Sequence, residues 1–393
     1  MIYFDNGATT FPKPRSVINA VTGTMLRNGA NPGRSGHKMS VRASEIMYNC
    51  RQNAAKLFDL ENPENVIFTL NCTQALNTVI KGTLKKGDHA VISSLEHNAV
   101  LRPIEAMKER GVSYSVAEVV EGDDDKTLDN FRHALRENTK LVVCTHASNV
   151  FGIRLPVERI GALCRIYKIP FCLDAAQSAG VLPISLKNSC IDYLCTAGHK
   201  GLYGPMGTGL LLINTEKTPD SLFQGGTGSF SSDRKQPDIL PDKFESGTPN
   251  LPGIAGLNEG IRFVLSRGVN NIEDREMRLA QRLYDGLKRN REVVLYTQRP
   301  QKHTHVPVIS FNLRERDSEE IAALLSDRYN IAVRAGLHCA PLAHEQYSTQ
   351  YSGTIRAVMS AFSNEAQVQS FLYAVNKISK NAKNRLQSRS TLW

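Results

Sequence analysis

The sequence predicts an α/β protein in which a large domain with a mostly parallel mixed sheet precedes a smaller α+β domain. Its 393 residues exceed what one small core needs, so two domains are expected. Between residues 66 and 213, short β-type apolar runs alternate with segments of helical spacing. After about Gly260 this alternation stops. We expect an N-terminal arm at 1–15 that belongs with the small domain, a large domain at 16–260 and a small domain at 261–393.

Two amphipathic helices are predicted before the alternation begins. Apolar residues recur at helical spacing over residues 14–27, and the Asn-Gly-Ala-Asn-Pro-Gly run at 28–33 ends that helix. A second amphipathic segment extends over about 41–58.

The alternating region predicts strand–helix–strand units. Strands are expected at residues 66–69, 89–93, 114–117, 141–145, 170–174, 193–196 and 210–213, with helices at 73–84, 98–110, 128–137 and 157–167. Such units are right-handed and build a mostly parallel sheet that is covered on both faces. Ligands of these sheets bind beyond the carboxyl ends of the strands.

The smaller domain has a different order of elements. A charged helix at about 272–289 leads to a strand at 306–311, and Asp317 is a suitable cap for the next helix. Further strands are expected at 331–334 and 354–358, and a last helix from about Glu365.

Composition narrows the class of protein. The chain is 41% hydrophobic and 22% charged, which is typical of soluble globular proteins. It has no apolar run long enough for a bilayer and no secretory signal pattern at its start, so we expect a cytoplasmic protein without a membrane role. The net charge is +10, but the basic residues are spread out and no nucleic-acid-binding motif is present. Attraction of an anionic substrate or of an acidic partner explains the charge equally well.

The eight cysteines predict neither a metal site nor disulfides. No two of them form a Cys-x-x-Cys pair, and they are widely scattered. Most are expected to be buried, whereas Cys339 lies in a loop-like context.

Lys200 lies in a glycine-rich turn, Gly198-His-Lys-Gly201, after a predicted strand. Glycines allow close backbone approach to a ligand, and a lysine held there can form a Schiff base with a carbonyl cofactor. A tight turn with a solvated lysine is the simpler interpretation of this motif alone. Asp174 favours the first interpretation, because a carboxylate at the end of an apolar strand needs a cationic partner, such as a protonated pyridine nitrogen, when buried.

Polar residues also follow three other predicted strands. Thr73 opens a helix, where its hydroxyl and the backbone amides could bind a phosphate. His97 could stack on a planar ring. A helix cap is the simpler interpretation of Thr73 alone, and His97 is equally suited to a capping or surface role, so the residues alone leave these alternatives open. Asn149 follows the strand at 141–145.

Taken together, these motifs resemble the class V aminotransferase-like family of fold-type I pyridoxal phosphate enzymes, most closely its cysteine desulfurase and selenocysteine lyase branch. The resemblance extends from the Asp-Asn-Gly-Ala-Thr-Thr motif at 5–10 to Arg356. Its most specific motifs, in the family's order, are Asp174-Ala-Ala-Gln177, Gly198-His-Lys-Gly201, Phe244-Glu-Ser-Gly-Thr-Pro-Asn250 and Arg334-Ala-Gly-Leu-His-Cys339.

The resemblance implies pyridoxal 5'-phosphate as the cofactor, bound by the large domain. Lys200 would form the Schiff base and later move protons at the substrate's α-carbon. Asp174 would pair with the pyridine nitrogen, and Gln177 with the ring oxygen, while His97 would stack on the ring. The remaining implied cofactor contacts are Cys72, the phosphate ligands Thr73 and His199, and Gly226 and Thr248, which would reach the phosphate bound by the other subunit.

The phosphate side contains one departure from the family. Ala197 stands where relatives usually have a serine or threonine that binds phosphate. Thr196 is the alternative donor.

The resemblance also implies the residues that bind the substrate. Arg356 would grip the substrate carboxylate, for which a bidentate guanidinium is well shaped. Asn149 would assist it, and His37 and Arg334 would lie near the substrate. Cys339 would take sulfur from the substrate as a persulfide. This needs an accessible thiolate, and Arg334 and His338 are the candidate groups to lower its pKa.

The implied activity is that of a cysteine desulfurase, which converts L-cysteine to L-alanine. The implied assembly is a homodimer with shared active sites, and the short Arg-Ala-Gly-x-His-Cys form implies a separate sulfur-acceptor protein. A selenocysteine or cystine lyase and, less readily, a class V aminotransferase are alternatives on the same scaffold. A non-catalytic scaffold protein is disfavoured by the joint presence of Lys200, Asp174, His97, Arg356 and Cys339.

Overall fold

The computed structural model describes residues 1–33 and 36–390. The strands are β1 (Ile2–Tyr3), β2 (Val66–Thr69), β3 (His89–Ser93), β4 (Ser113–Ala117), β5 (Thr139–Thr145), β6 (Phe171–Asp174), β7 (Tyr193–Ala197), β8 (Gly209–Ile213), β9 (Val293–Leu295), β10 (Val308–Leu313), β11 (Ile331–Ala332) and β12 (Ile355–Val358). The α-helices are α1 (Arg15–Arg27), α2 (Lys38–Phe58), α3 (Cys72–Thr83), α4 (Asn98–Lys108), α5 (Asp124–Ala134), α6 (Val157–Tyr167), α7 (Leu251–Arg267), α8 (Val269–Lys288), α9 (Ser318–Tyr329), α10 (Pro341–Gln346) and α11 (Glu365–Ser390).

The described chain divides into two compact units. The larger unit comprises residues 12–146 and 155–270, and the smaller unit comprises 1–11, 147–154 and the chain from 271 onwards. The segment 147–154, which the sequence placed in the large domain, therefore belongs to the smaller unit. Within the described residues, no helix is both long and apolar enough to cross a membrane.

The larger unit is built on a seven-stranded mixed sheet in the order β2-β8-β7-β6-β5-β3-β4. β3, β4, β5, β6 and β7 run parallel to one another, whereas β8 runs antiparallel to both β2 and β7. β3, β6, β7 and β8 are buried along their whole length. Their near-continuous apolar sequences match strands that are covered on both faces, and the predicted α/β class is confirmed.

The smaller unit has an α+β core. β10 lies between β12 and β9 in an antiparallel sheet, and β1 pairs in parallel with β11. Phe371 of α11 packs on Phe4 and Phe311, with ring centroids 5.7 and 6.0 Å apart. All three rings are fully buried, so the N-terminal strand is part of this core.

Most element boundaries lie within three residues of those expected, and α5 is the main exception. It begins at Asp124 rather than near residue 128, because the Asp123 carboxylate accepts a hydrogen bond from the Lys126 amide at 2.8 Å and caps the helix. Four of these elements are absent from the sequence prediction: the two short strands β1 and β9, the six-residue helix α10 and the long helix α7.

Candidate active site

The carboxyl ends of five strands lie along one edge of the larger unit's sheet. β3, β5, β6 and β7 are parallel. β2 runs in the same direction as β7, because both are antiparallel to β8 between them. The segments that follow these strands carry the residues predicted from the sequence: Cys72 and Thr73 after β2, His97 after β3, Asp174 and Gln177 at the end of β6, and His199 and Lys200 after β7.

Asp174 is buried at the centre of this edge, with 3% of its surface exposed. Its Oδ1 accepts hydrogen bonds from the Ala176 amide at 2.9 Å and from the Cys72 thiol at 3.5 Å. A carboxylate buried in this way is suited to a cationic N–H partner.

Cys72 occupies the first turn of α3, directly against Asp174. Burial raises the pKa of its thiol well above the ordinary value, and the nearby Asp174 raises it further while Lys200 lowers it. The thiol is therefore protonated at neutral pH and can donate to the carboxylate. The charges of Asp174 and Lys200 therefore both act on the pKa of the Cys72 thiol.

The first turn of α3 also provides donors at this edge. Asn71 caps the helix by accepting a hydrogen bond from the Gln74 amide at 2.9 Å. Thr73 is exposed in that turn. Exposed amides at a helix N-terminus together with a hydroxyl favour an anion, such as a phosphate.

The turn that bears Lys200 packs tightly on the turn that follows Asp174. A Cβ on Gly201 would lie 2.3 Å from the Ala179 carbonyl oxygen, and one on Gly180 would lie 2.2 Å from the Gly201 carbonyl oxygen. Gly180 also has a φ of +79°. Only glycines fit this backbone contact, which fixes the half-buried Lys200 relative to β6.

Lys13 is a second lysine in this region and was missed by the sequence interpretation. Its Nζ donates to the carbonyl oxygen of His199 at 2.7 Å. Burial lowers the pKa of Lys13 to about 8. Burial, together with the charges of Lys200 and Lys13, lowers the pKa of His199 to about 4, so this ring is neutral. No local sequence signal links Lys13 to a turn 186 residues away.

His97 caps α4, as one of its two sequence interpretations expected. Its Nδ1 accepts a hydrogen bond from the Ala99 amide at 3.0 Å. In the neutral ring the proton therefore lies on Nε2. The preceding residue, Glu96, is fully buried, and its Oε1 accepts from the Thr145 amide at 2.8 Å. This contact ties the segment after β3 to the end of β5.

Gly226 and Thr248 lie in two loops that contact each other. The Gly247 amide donates to the Gly226 carbonyl oxygen at 2.9 Å. Both predicted residues line an open pocket of about 790 Å³ within the larger unit, and Gln74 of α3 lines it as well. Gln177 is half-buried in the turn after Asp174.

The structure does not bring two further candidate residues of the larger unit, His37 and Thr196, into this group. His37 is exposed and caps α2, with its Nδ1 accepting from the Ser40 amide at 3.2 Å. Thr196, the alternative phosphate donor, is fully buried and donates instead to the Ala175 carbonyl oxygen at 3.4 Å. The expectation for Thr196 was wrong, because its side chain points into the sheet packing rather than beyond the strand end.

In the smaller unit, Arg356 is a buried guanidinium on β12, with 2% of its surface exposed. One Nη donates to the Asn149 carbonyl oxygen at 2.8 Å, and the other lies 3.3 Å from Oδ1 of Asp5. Its Nε has no acceptor among the described residues. Burial lowers the pKa of Arg356 to about 10 against the opposing effect of Asp5, so the group stays charged at neutral pH.

Cys339 is exposed on a short loop that several hydrogen bonds hold in place. The Asn149 side-chain amide donates to the His338 carbonyl oxygen at 2.7 Å, and the Thr354 amide donates to the Gly336 carbonyl oxygen at 3.1 Å. His338 and Cys339 have φ values of +48° and +58°. Two consecutive non-glycine residues in this conformation indicate a backbone that its surroundings constrain.

The groups around Cys339 differ from expectation in one respect. His338 is buried, and its Nε2 lies 2.9 Å from the Thr354 carbonyl oxygen, to which it donates. Burial and the charge of Arg356 lower the pKa of His338 to about 2, so the ring is neutral and supplies no positive charge to the thiol. The proposed role of His338 in lowering the pKa of Cys339 was therefore wrong. Arg334 is exposed, and its backbone pairs with that of Arg356.

Comparison with known proteins identifies the family of this chain. The family model described as aminotransferase class-V matches residues 2–371. The chain belongs to the class-V aminotransferase family. Among its relatives, a probable cysteine desulfurase from Pyrococcus abyssi is 33% identical, with 97% of this chain and 95% of the relative covered. Another from Methanothermobacter thermautotrophicus is 31% identical, with coverage of 94% and 92%.

A solved structure of this class-V aminotransferase family is also similar. The apo structure of a cysteine desulfurase from Thermococcus onnurineus has a TM-score of 0.88 and 31% sequence identity, and the alignment covers 97% of this chain and 95% of that one. The predicted family is thus confirmed. Enzymes of the class-V family use pyridoxal phosphate.

The residues of the larger unit fit this cofactor. The buried carboxylate of Asp174 suits a protonated pyridine nitrogen, and the exposed Thr73 in the first turn of α3 suits a phosphate. The glycine contacts of its turn hold Lys200 against the turn that follows Asp174.

Proposed function

We propose that this protein is a pyridoxal phosphate-dependent cysteine desulfurase that converts L-cysteine to L-alanine. The relatives from Pyrococcus abyssi and Methanothermobacter thermautotrophicus carry the name probable cysteine desulfurase. The proposal also depends on the chemistry available to the candidate residues of the larger unit and to those of the smaller unit.

The larger unit would hold the cofactor. Asp174 would bind the ring nitrogen, Thr73 and neutral His199 would donate to the phosphate, and His97 would stack on the ring. When bound, pyridoxal phosphate withdraws electrons from the substrate's α-carbon. The amine of Lys200 would take the α-proton, a role that suits a half-buried lysine in a fixed turn.

The smaller unit would hold the substrate and accept its sulfur. Arg356 would bind the carboxylate, and the Cys339 thiolate would attack the substrate's sulfur atom. The substrate's carbon–sulfur bond breaks as the new sulfur–sulfur bond forms, a proton is added to the β-carbon, and Lys200 returns a proton to the α-carbon. The products are alanine and a Cys339 persulfide, so the carbon is reduced while the enzyme thiol is oxidised.

One observation carries this proposal: Asn149 links the carboxylate receptor to the reactive thiol. Its carbonyl oxygen accepts from Arg356 at 2.8 Å, and its side chain donates to His338, the residue before Cys339, at 2.7 Å. Asn149 thus fixes the buried guanidinium of Arg356 relative to the loop that carries the exposed thiol of Cys339. This arrangement suits a small substrate that carries both a carboxylate and a sulfur atom.

The test is a product assay on the cofactor-loaded protein with L-cysteine and a reductant. Wild type should release alanine and sulfide, and mass spectrometry should find one added sulfur on Cys339. Cys339→Ala should lose at least about a hundredfold in rate. Cys190→Ala, which removes a half-buried thiol elsewhere, is the matched control and should behave as wild type. Equal activity of wild type and Cys339→Ala would rule out the persulfide step.

The same assay separates the alternative activities. Faster turnover of selenocysteine or cystine that does not need Cys339 would favour a lyase. Formation of a 2-oxo acid would indicate an aminotransferase.

We also propose a homodimer with shared active sites and a separate sulfur-acceptor protein. Gly226 and Thr248, which line an open pocket of the larger unit, would reach the phosphate bound by the other subunit. The short, hydrogen-bonded Cys339 loop supports a separate acceptor protein, because it limits how far the thiol can move to deliver sulfur.

A further inference from the structure

Asp5 lies against the buried guanidinium of Arg356, and the chain around Asp5 is held firmly in that place. The Val358 amide donates to the Phe4 carbonyl oxygen at 2.7 Å, and the Asn6 side chain donates to the Val358 carbonyl oxygen at 2.9 Å. These contacts fix the N-terminal arm along β12. A Cβ on Gly7 would lie 3.0 Å from Cζ of Arg356, so the glycine allows this close approach.

Not every N–H group of the Arg356 guanidinium has a hydrogen-bond acceptor in the described chain. Oδ1 of Asp5 lies 3.3 Å from one Nη, the other Nη donates to the Asn149 carbonyl oxygen, and the buried Nε has no acceptor in the described chain. A substrate carboxylate that binds the Nε edge in a bidentate manner would share an Nη group with Asp5. Two carboxylates would then surround one buried cation.

We propose that Asp5 acts as a built-in counter-charge that weakens the binding of carboxylate ligands to Arg356. Asp5 stabilises the guanidinium when no substrate is bound. It repels an incoming carboxylate, and this limits the affinity for both the substrate and the amino-acid product. The inference rests on the proposed function, because it takes Arg356 as the carboxylate receptor.

The repulsion depends on the charge of Asp5 rather than on its shape. Asp5→Asn keeps the size of the side chain and an oxygen that can accept from Arg356, but it removes the negative charge. Like charges near one partly buried site interact more strongly than in water. We therefore expect Asp5→Asn to bind carboxylates about three- to tenfold more tightly than wild type.

Asp327→Asn is the matched control. It makes the same change in net charge on α9, where Asp327 is exposed. The test measures the dissociation constant of propionate, a carboxylate without an amine or sulfur, on the cofactor-loaded proteins by calorimetry. It also measures KM and kcat for L-cysteine. Asp5→Asn should lower both the propionate constant and KM without raising kcat, whereas Asp327→Asn should match wild type.

Binding of propionate by folded Asp5→Asn that is equal to or weaker than that of wild type would overturn the inference. Should that variant fail to fold, Asp5→Ser removes the same charge with a smaller side chain and is held to the same criterion. Wild type that neither binds propionate nor consumes cysteine would overturn the proposed function as well. Wild type that does both, with no tightening in the variants, would overturn the role of Asp5 alone.

Discussion

Cys72 illustrates how one residue can adjust the candidate site without reacting. Its thiol donates to Oδ1 of Asp174 at 3.5 Å. The raised pKa of the buried thiol makes it a donor rather than a thiolate. Cys72 is thus a positioning residue for the carboxylate that we expect to bind the cofactor ring. It would not be a second sulfur carrier, because it is buried and protonated.

Replacing Cys72 should change cofactor binding in a manner that separates hydrogen bonding from packing. Cys72→Ala removes the donor to Asp174 and should raise the dissociation constant of pyridoxal phosphate about three- to tenfold. Cys72→Ser retains a donor and should stay within about twofold of wild type. Equilibrium dialysis measures this directly, without an activity assay. Should both variants bind alike, Cys72 has no positioning role.

At the scale of elements, glycines set the distances between functional turns. A Cβ on Gly353 would lie 2.7 Å from Cα of Gly336 in the Cys339 loop, and both glycines have positive φ. The segment before β12 and the Cys339 loop are therefore in direct backbone contact. A side chain at Gly353 would push the two apart.

Gly353→Ala should displace the Cys339 loop. We expect it to reduce desulfuration of cysteine at least about tenfold, because displacements near 1 Å at reacting groups are costly. Alkylation of Cys339 by iodoacetamide should change in rate as an independent measure. Gly87→Ala is the control: Gly87 has a φ of +91° but no atoms within 4 Å of an added Cβ, so it tests backbone strain alone. Equal effects of the two variants would mean that the close contact is unimportant.

The sequence predicted elements with a regular pattern and missed those that depend on distant partners. Apolar runs that stop at polar residues predicted the ends of the strands that precede Asp174 and Lys200. α7 was missed because its first turns, Leu-Pro-Gly-Ile-Ala-Gly, resemble a loop, although Asn250 caps it through the Gly253 amide at 3.1 Å. β1 is only two residues long and exists through its pairing with β11. The contact of Lys13 with His199 could not be predicted, because it joins segments far apart in sequence.

At the scale of the whole molecule, a buried carboxyl group makes the stability of the larger unit's sheet depend on pH. Glu96 is fully buried, accepts from the Thr145 amide through Oε1, and has no hydrogen-bond partner for Oε2 among the described residues. Burial raises its pKa to about 8, with hydrogen bonds from Ser93 and Thr145 opposing that effect and the charge of Asp174 adding to it. The folded protein therefore holds a neutral Glu96 at neutral pH.

This raised pKa predicts that stability falls as the pH rises. Between about pH 4.5 and 8, the folded state keeps a proton on Glu96 that the unfolded chain has released, so the free energy of unfolding decreases across this range. Glu96→Gln cannot titrate and should remove at least about a tenfold change in the unfolding equilibrium over that range. Urea unfolding of both proteins at several pH values measures the difference. Parallel pH profiles would contradict a neutral Glu96, whereas a flatter profile for Glu96→Gln would connect this single carboxyl group to the stability of the whole sheet.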